Sequence, residues 1–286
     1  MIDIDLHVHS CFSDGAYHPR KLISHCENVK YLGVSDHDTI AGLPSAIDAF
    51  MDCPITFVPN VELSCADQLG RFPKSFHILG PGINYQNKFL IRELASVEER
   101  SKLRSWSIME NLKDHGYEMD RSILKKGKGI ITVFEIFLSI TYAPDFKFNP
   151  NSYDSLVRFT QLWIKQSSHH YVPFKRMTFE EAIKLIHTAD GKAILAHPGH
   201  TFRSKPYLTE LAISELIDAG LDGIEVFTPK HNEAETKTFY ELARKNELLM
   251  SAGSDFHGRG AQKIGDINTY GLEYDPIQTI KKILYG

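Results

Sequence analysis

Cysteine is scarce in this chain: Cys11, Cys26, Cys53 and Cys65 are its four, and no two form a CxxC pair. That pattern excludes a thiolate metal site of the ribbon or knuckle kind and gives no disulfide framework, so reduced, buried thiols and a cytoplasmic location are expected. A basic surplus is missing as well. A net charge of -4 provides no overall attraction to nucleic acid or to an anionic membrane, so any anionic substrate has to be held locally. Long apolar runs are absent too. The longest, "GIITVFEIFLSITYA" at 129–143, is too short to span a bilayer and carries Glu135. The first residues are acidic at Asp3 and Asp5 and lack the basic-then-apolar order of a secretion signal. No repeat or low-complexity tract stands out.

What the chain does contain is a series of short apolar runs alternating with helix-period segments. The runs are "IDLHV" near 2–8, "YLGVS" at 31–35, "ITFVPNVEL" at 55–63, "FHILG" at 76–80, "KAILAH" at 192–197, "GIEVF" at 223–227 and "LLMSAGSD" at 248–255. Nearly continuous apolar character suits strands buried on both faces, as in a parallel sheet. Helix boundaries are marked by Pro19 before "RKLISHCENV", by the capping-box form "TFEE" at 178–181 with Gly191 beyond it, and by Asp275-Pro276. Strand-helix alternation of this kind predicts an α/β fold, a closed or nearly closed barrel. The alternation fails between about 84 and 175, where a long charged segment, the apolar 129–143 stretch and "SYDSLVRFTQLWIKQ" read as helices joined by loops. The expected organisation is a barrel from 1–83 and 176–286 with a helical subdomain, 84–175, inserted.

Polar residues gather where the predicted strands end. The first run leads to His7, His9 and Asp14; the second to Asp36, His37 and Asp38; the third to Glu62; the fourth contains His77. The fifth ends in His197 of "AHPGH", and the last in Asp255 and His257 of "SDFH". In a parallel barrel these ends open on one face, where catalytic groups collect. Carboxylates placed together repel one another, and clustered imidazoles compete for few partners; divalent cations satisfy both. Histidine with Asp and Glu and no cysteine suits Mn, Zn or Fe.

These segments resemble the PHP (polymerase and histidinol phosphatase) family of metal-dependent phosphoesterases. "DLHVHSCFSDG", "GVSDHDTIAG", "PNVELS", "FHILG", "AHPGH" and "GSDFHG" are similar to its motifs and stand in the same order. The resemblance implies a distorted (β/α)7 barrel holding two or three divalent metals. By motif, one metal would take His7, His9, Glu62 and Asp255; a second Asp14, His37 and His257; a third Glu62, His77 and His197. It implies hydrolysis of a phosphate ester by a metal-bridged hydroxide attacking phosphorus, with His200 or Asp38 as a general acid for the leaving group.

In nucleotide-cleaving relatives the insertion carries an Arg-x-His-Phe-Ala type segment; here "TVFEIFLSI" holds neither arginine nor histidine, which argues against a nucleotide or RNA substrate. Arg100, Arg104 and Arg203 are the candidate replacements for gripping a phosphate. The departure also admits a sugar cyclic phosphate such as phosphoribosyl 1,2-cyclic phosphate. The expected partner is therefore a small anionic ester (nucleotide, nucleoside bisphosphate or cyclic sugar phosphate). The alternatives are a 5'-3' exoribonuclease or oligonucleotide phosphatase of the same family, metal-assisted amide chemistry, and a non-catalytic metal-binding scaffold. His18, His25, His115, His169, His170, His187 and His231 read as surface or helix residues, and Trp106 and Trp163 as core anchors.

Overall fold

In β1 (Ile4–Val8) every residue is buried, yet the alternation of a strand divides them: Ile4, Leu6 and Val8 enter apolar packing while Asp5 and His7 turn to the other side. The computed structural model describes residues 2–66, 76–124, 130–165, 167–203 and 209–286. After β1 come α1 (Pro19–Leu22), β2 (Tyr31–Val34), α2 (Leu43–Phe50), β3 (Thr56–Pro59), β4 (Glu62–Cys65), β5 (Phe76–Leu79) and α3 (Lys88–Asp114). β6 (Glu118–Met119), α4 (Val133–Ser139), β7 (Ile140–Tyr142) and α5 (Tyr153–Phe159) follow. The remainder is α6 (Phe179–Thr188), β8 (Ile194–Leu195), α7 (Pro198–Phe202), α8 (Thr209–Asp218), β9 (Gly223–Phe227), α9 (Glu233–Lys245), β10 (Leu249–Ala252) and α10 (Pro276–Tyr285). Two units result, Met1–Leu94 with Arg176–Gly286, and Ala95–Lys175.

The first unit holds a parallel sheet in the order β1-β2-β3 and a mixed sheet in the order β10-β9-β8-β5-β4. Isolated parallel bridges join Val8 of the first sheet to Phe256, beyond β10, and His37, beyond β2, to Glu62 of the second. An all-parallel arrangement was expected from the apolar runs, and β5 departs from it by running antiparallel to both β4 and β8. The connection from Cys65 to Phe76 is shorter than the dozen or more residues a parallel crossover requires. This reversal also brings His77, near the start of β5, level with Ser64 of β4. The main core packs Ile4, Leu6, Leu63, Ile78, Leu195 and Ile224 with Phe179, Ile183 and Ile186 of α6. Each such side chain contributes about 1.5–3 kcal/mol on full burial.

Local signals explain the helix starts. Thr178 and Glu181 form the expected capping box of α6, Asn232 and Glu235 form another at α9, and Asp275 caps α10 with Pro276 in its first turn. The helix expected after Pro19 is short: α1 ends at Leu22 and a 3-10 turn, Ile23–His25, replaces its continuation, in a stretch of weak helix formers. Of the thiols, Cys65 is buried and the other three are half-buried.

The second unit has its own core of Ile108, Met109, Leu112, Ile136, Phe137, Ile140, Phe159 and Trp163. It is not purely helical, since β6 and β7 pair antiparallel and a π-turn, Thr160–Ile164, follows α5. The apolar 129–143 stretch thus divides between α4 and β7. Trp163 is the expected anchor, buried and donating its indole N–H to the Tyr117 hydroxyl at 3.0 Å. Trp106 is not: it is exposed, with the Arg121 guanidinium over its ring, because its position on α3 faces away from this core. No helix among the described residues is long and apolar enough to cross a membrane.

Candidate metal centre

The alternation of β1 aims Asp5, His7 and, one step past the strand, His9 to one side, and all three are fully buried. Asp5 does not join the histidines. It accepts from the amides of His7, Ser254 and Gly265 at 3.2, 2.9 and 2.8 Å and so ties the first strand to the segment after β10. Burial, opposed by these hydrogen bonds, pushes its carboxyl up to about 6.

Glu62, at the start of β4, is the focus of the cluster. Its Oε2 lies 3.2 Å from His7 Nε2, 3.2 Å from His9 Nε2 and 3.0 Å from His37 Nδ1. Its Oε1 accepts from His77 Nδ1 at 2.7 Å and from His197 Nε2 at 3.2 Å. Asp255 Oδ1 sits 3.5 Å from His7 Nε2 and 3.2 Å from His9 Nε2. Asp14 Oδ2 sits 3.2 Å from His257 Nε2 and 3.9 Å from His37 Nε2. The nine residues that the resemblance implies as metal ligands are thus brought together. Asp38, His197 and Asp255, the turning points at three of those ends, adopt left-handed φ values of 52°, 28° and 53°, a strain typical of functional sites.

The electrostatics of the cluster follow from burial set against charge. Burial alone would raise the Glu62 and Asp255 carboxyls, but the histidines around them hold both well below the usual range. Burial pulls His9 down while the facing carboxylates of Asp255 and Glu62 raise it to about 10. His37, where burial dominates, falls to about 4.

The donor set fits divalent cations. His7 Nε2, both nitrogens of His9, His37 Nδ1, Glu62 Oε2 and His197 Nδ1 are buried without a hydrogen bond, although several lie close to an oppositely polar atom. Leaving such groups unpaired costs about 1–3 kcal/mol each unless something else satisfies them. Three overlapping sets have donor atoms mutually within 4.8 Å: His9, Asp14, His37 and His257; His7, His9 and Glu62; His37, Glu62 and His77. These nitrogen and carboxylate sets suit Mn, Zn or Fe.

Of the supporting residues, Glu225 was missed in the sequence, and Asp36 and His231 were named there without the roles they take. Glu225, in the middle of β9, accepts from His7 Nδ1 at 2.9 Å and from the His197 amide at 2.8 Å, which fixes the tautomer that turns His7 Nε2 to the cluster. An acid inside "GIEVF" was the available signal. β10 passes so close to this pair that a Cβ at Gly253 would lie 2.2 Å from His7 Cβ and 2.3 Å from Glu225 Oε1. Asp36 accepts from the Ser10 amide and from the Ser10 and Ser13 hydroxyls, shaping the loop that carries His9 and Asp14. His231, expected at the surface, is buried: it donates from Nδ1 to Val226 O and accepts the Gly199 amide at Nε2, holding the turn after His197.

The remaining candidates lie as follows. Asp38 is buried, accepts the Ser64 amide at 2.8 Å, and is pushed up by that burial. His200 is exposed, edge-on to His197 at 5.9 Å between ring centres, and is held below its ordinary pKa by partial burial and by the charges of His197 and Lys230. The Arg203 guanidinium is taken up by Glu235, at 2.9 and 3.0 Å, and by Lys230 O at 2.7 Å. In the second unit, Arg100 donates to Ser96, and Arg104 donates to Val172 O with Phe174 and Tyr171 beneath its guanidinium.

No family model matches the chain. It is similar to the phosphoribosyl 1,2-cyclic phosphate 1,2-diphosphodiesterase of Eggerthella lenta, 29% identical over 263 residues that cover 89% of this chain and 94% of that protein. It is 30% identical over 266 residues to the 5'-3' exoribonuclease Rnm of Salmonella typhimurium, covering 88% of this chain and 84% of that protein. Among solved structures, one described as an amidohydrolase from Chromobacterium violaceum with bound sulfate and no metal matches with a TM-score of 0.79 and 27% identity, covering 96% of this chain and 93% of that one.

Proposed function

The chain belongs to the PHP (polymerase and histidinol phosphatase) family of metal-dependent phosphoesterases, and from that premise we propose that it hydrolyses a small phosphate ester, with a cyclic sugar phosphate or a nucleoside bisphosphate as the substrate class. The observation that carries this reading is the convergence of five imidazoles on Glu62, with buried nitrogens left outside hydrogen-bonding geometry. Its similarity to the E. lenta cyclic phosphate diphosphodiesterase supports the choice of a sugar ester.

His7, His9, Glu62 and Asp255 would hold one cation, Asp14, His37 and His257 a second, and Glu62, His77 and His197 a third. Mn, Zn or Fe bound there supply charge that offsets phosphate oxygens and make water acidic enough to deprotonate near neutrality. The chain's own residues orient and exclude. Glu225 fixes His7, and Asp36 fixes the loop of His9 and Asp14. His200, beside His197, is our candidate for protonating the departing alkoxide, with Asp38 as the second choice. The Val8–Phe256 and His37–Glu62 bridges support reading the two larger sheets as one distorted seven-stranded barrel, with β3 and β4 counted as two parts of one interrupted strand. We take 84–175 as the subdomain inserted into it.

A 5'-3' exoribonuclease is the second reading, favoured by the similarity to the Rnm enzyme. A release assay with Mn-, Zn- or Fe-loaded protein across a cyclic sugar phosphate, a nucleoside 3',5'-bisphosphate, short RNA, a simple monoester and an amide decides between them. The small esters are expected to have the highest kcat/KM. Preference for RNA selects the second reading, turnover of the amide alone overturns both, and no turnover under any loading leaves a scaffold.

A further inference from the structure

Two basic side chains meet at the loop that follows β9, Lys230 within it and Arg203 reaching it from the end of α7, and they are used differently. Arg203 is closed on Glu235 by two hydrogen bonds and on Lys230 O by a third. Lys230 instead sends its ammonium to the donor cluster, where Nζ lies 2.9 Å from Asp255 Oδ2; the lysine side chain is 31% exposed and that of Asp255 10%. Asp255 faces His7 and His9 with its other oxygen, Oδ1. The lysine charge therefore stands at the outer side of a carboxylate whose inner side closes the cluster.

The main chain keeps it there. The Lys230 carbonyl accepts from Arg203, its amide donates to Thr228 Oγ1 at 3.4 Å, and the next residue, His231, is locked by Val226 O and the Gly199 amide. An ammonium has three N–H donors, and the Asp255 contact needs one. The lysine charge also bears on His200, whose ring stands edge-on to His197.

We propose that Lys230 is a substrate contact, its ammonium bridging Asp255 and a non-bridging oxygen of the phosphoryl group. This rests on the phosphoesterase reading. A compact point charge on a flexible stem donates to oxygens over a range of directions, whereas a guanidinium fork favours two in one plane. The contact thus selects an anionic phosphoryl group, free or esterified, and leaves the choice of sugar or base to other residues.

Full-length protein loaded with Mn, and its Lys230→Met and Lys230→Arg variants, are titrated with inorganic phosphate by calorimetry, and their metal content is measured alongside kcat and KM. Lys230→Met is expected to weaken phosphate binding about tenfold or more, the effect of one lost charge-assisted hydrogen bond. It raises KM more than it lowers kcat and keeps wild-type metal content, and Lys230→Arg, which keeps the charge but not the geometry, recovers only part of the loss. Unchanged phosphate affinity in Lys230→Met overturns the proposal. So does a loss of Mn whose reversal by excess Mn restores phosphate affinity, since the lysine would then act only through Asp255. Lysine-dependent phosphate binding in a protein that hydrolyses no ester supports this contact and sinks the phosphoesterase reading.

Discussion

In the Ala95–Lys175 unit, Trp163 donates to Tyr117, Tyr117 donates to Asp145 at 2.6 Å, and the Ser105 and Ser139 hydroxyls donate to backbone carbonyls. At the strand ends of the other unit, His7, His9 and Glu62 are wholly buried, yet His7 Nε2, both His9 nitrogens and Glu62 Oε2 have no hydrogen bond. The first arrangement is complete within the chain and serves folding. The second leaves buried donors and acceptors without hydrogen bonds, the pattern expected of a binding site rather than of a polar core.

The sharpest way to break that comparison is to remove a donor. His9→Ala or Asp255→Ala should reduce hydrolysis by about a thousandfold or more, as expected when charge stabilisation at the reacting group is lost, with the far-ultraviolet circular dichroism unchanged. Full activity in the Asp255 variant would contradict the role given to it.

A smaller effect belongs to Glu225→Gln, which keeps the shape but weakens the anchor on His7. Metal affinity, measured by competition with a chromogenic chelator, should fall about 10- to 100-fold. Affinity equal to wild type would show that β9 merely buries an acid.

The pH response comes next. His9 is raised from 6.5 to about 10, so its contribution to stability is fully present below pH 6.5 and is lost as pH rises towards 10. His37, lowered to about 4, acts in the opposite sense and only between about 4 and 6.5. Chelator-treated protein should therefore show a Tm that falls between pH 7 and 10, while Mn affinity rises by up to about tenfold per pH unit over the same window because the cation displaces that proton. A rising Tm there would refute the assignment.

Trp163→Phe should have the least effect, costing about 1 kcal/mol in denaturant unfolding for one neutral hydrogen bond and leaving Mn affinity unchanged. A change in Mn affinity in this variant would erase the contrast between the units.

Much of the donor cluster was legible because its members come in short local strings at the ends of apolar runs, such as "HVH" and "SDFH", and the period of a strand tells which of them share a side. The capping boxes were legible for the same reason. What escaped depended on partners far along the chain. Glu225 acquires meaning only from His7, 218 residues away, and the pairing of Arg203 with Glu235 joins two residues that no local pattern links. The direction of β5 escaped because an apolar run reads the same in either orientation; the short connection before it carried that information. Trp106 was misplaced because charged and apolar residues are interspersed along α3, so that its pattern defines an inner face only weakly.

The three amides gathered by Asp5 have a consequence for how the protein folds. The carboxylate of the fifth residue is satisfied only when Ser254 and Gly265 reach it, and His9 meets Asp255 and His257 only when β1 has β10 beside it. Closing the donor cluster therefore waits on a pairing between residues 249 positions apart, the kind of long-range contact that forms late and slowly in folding.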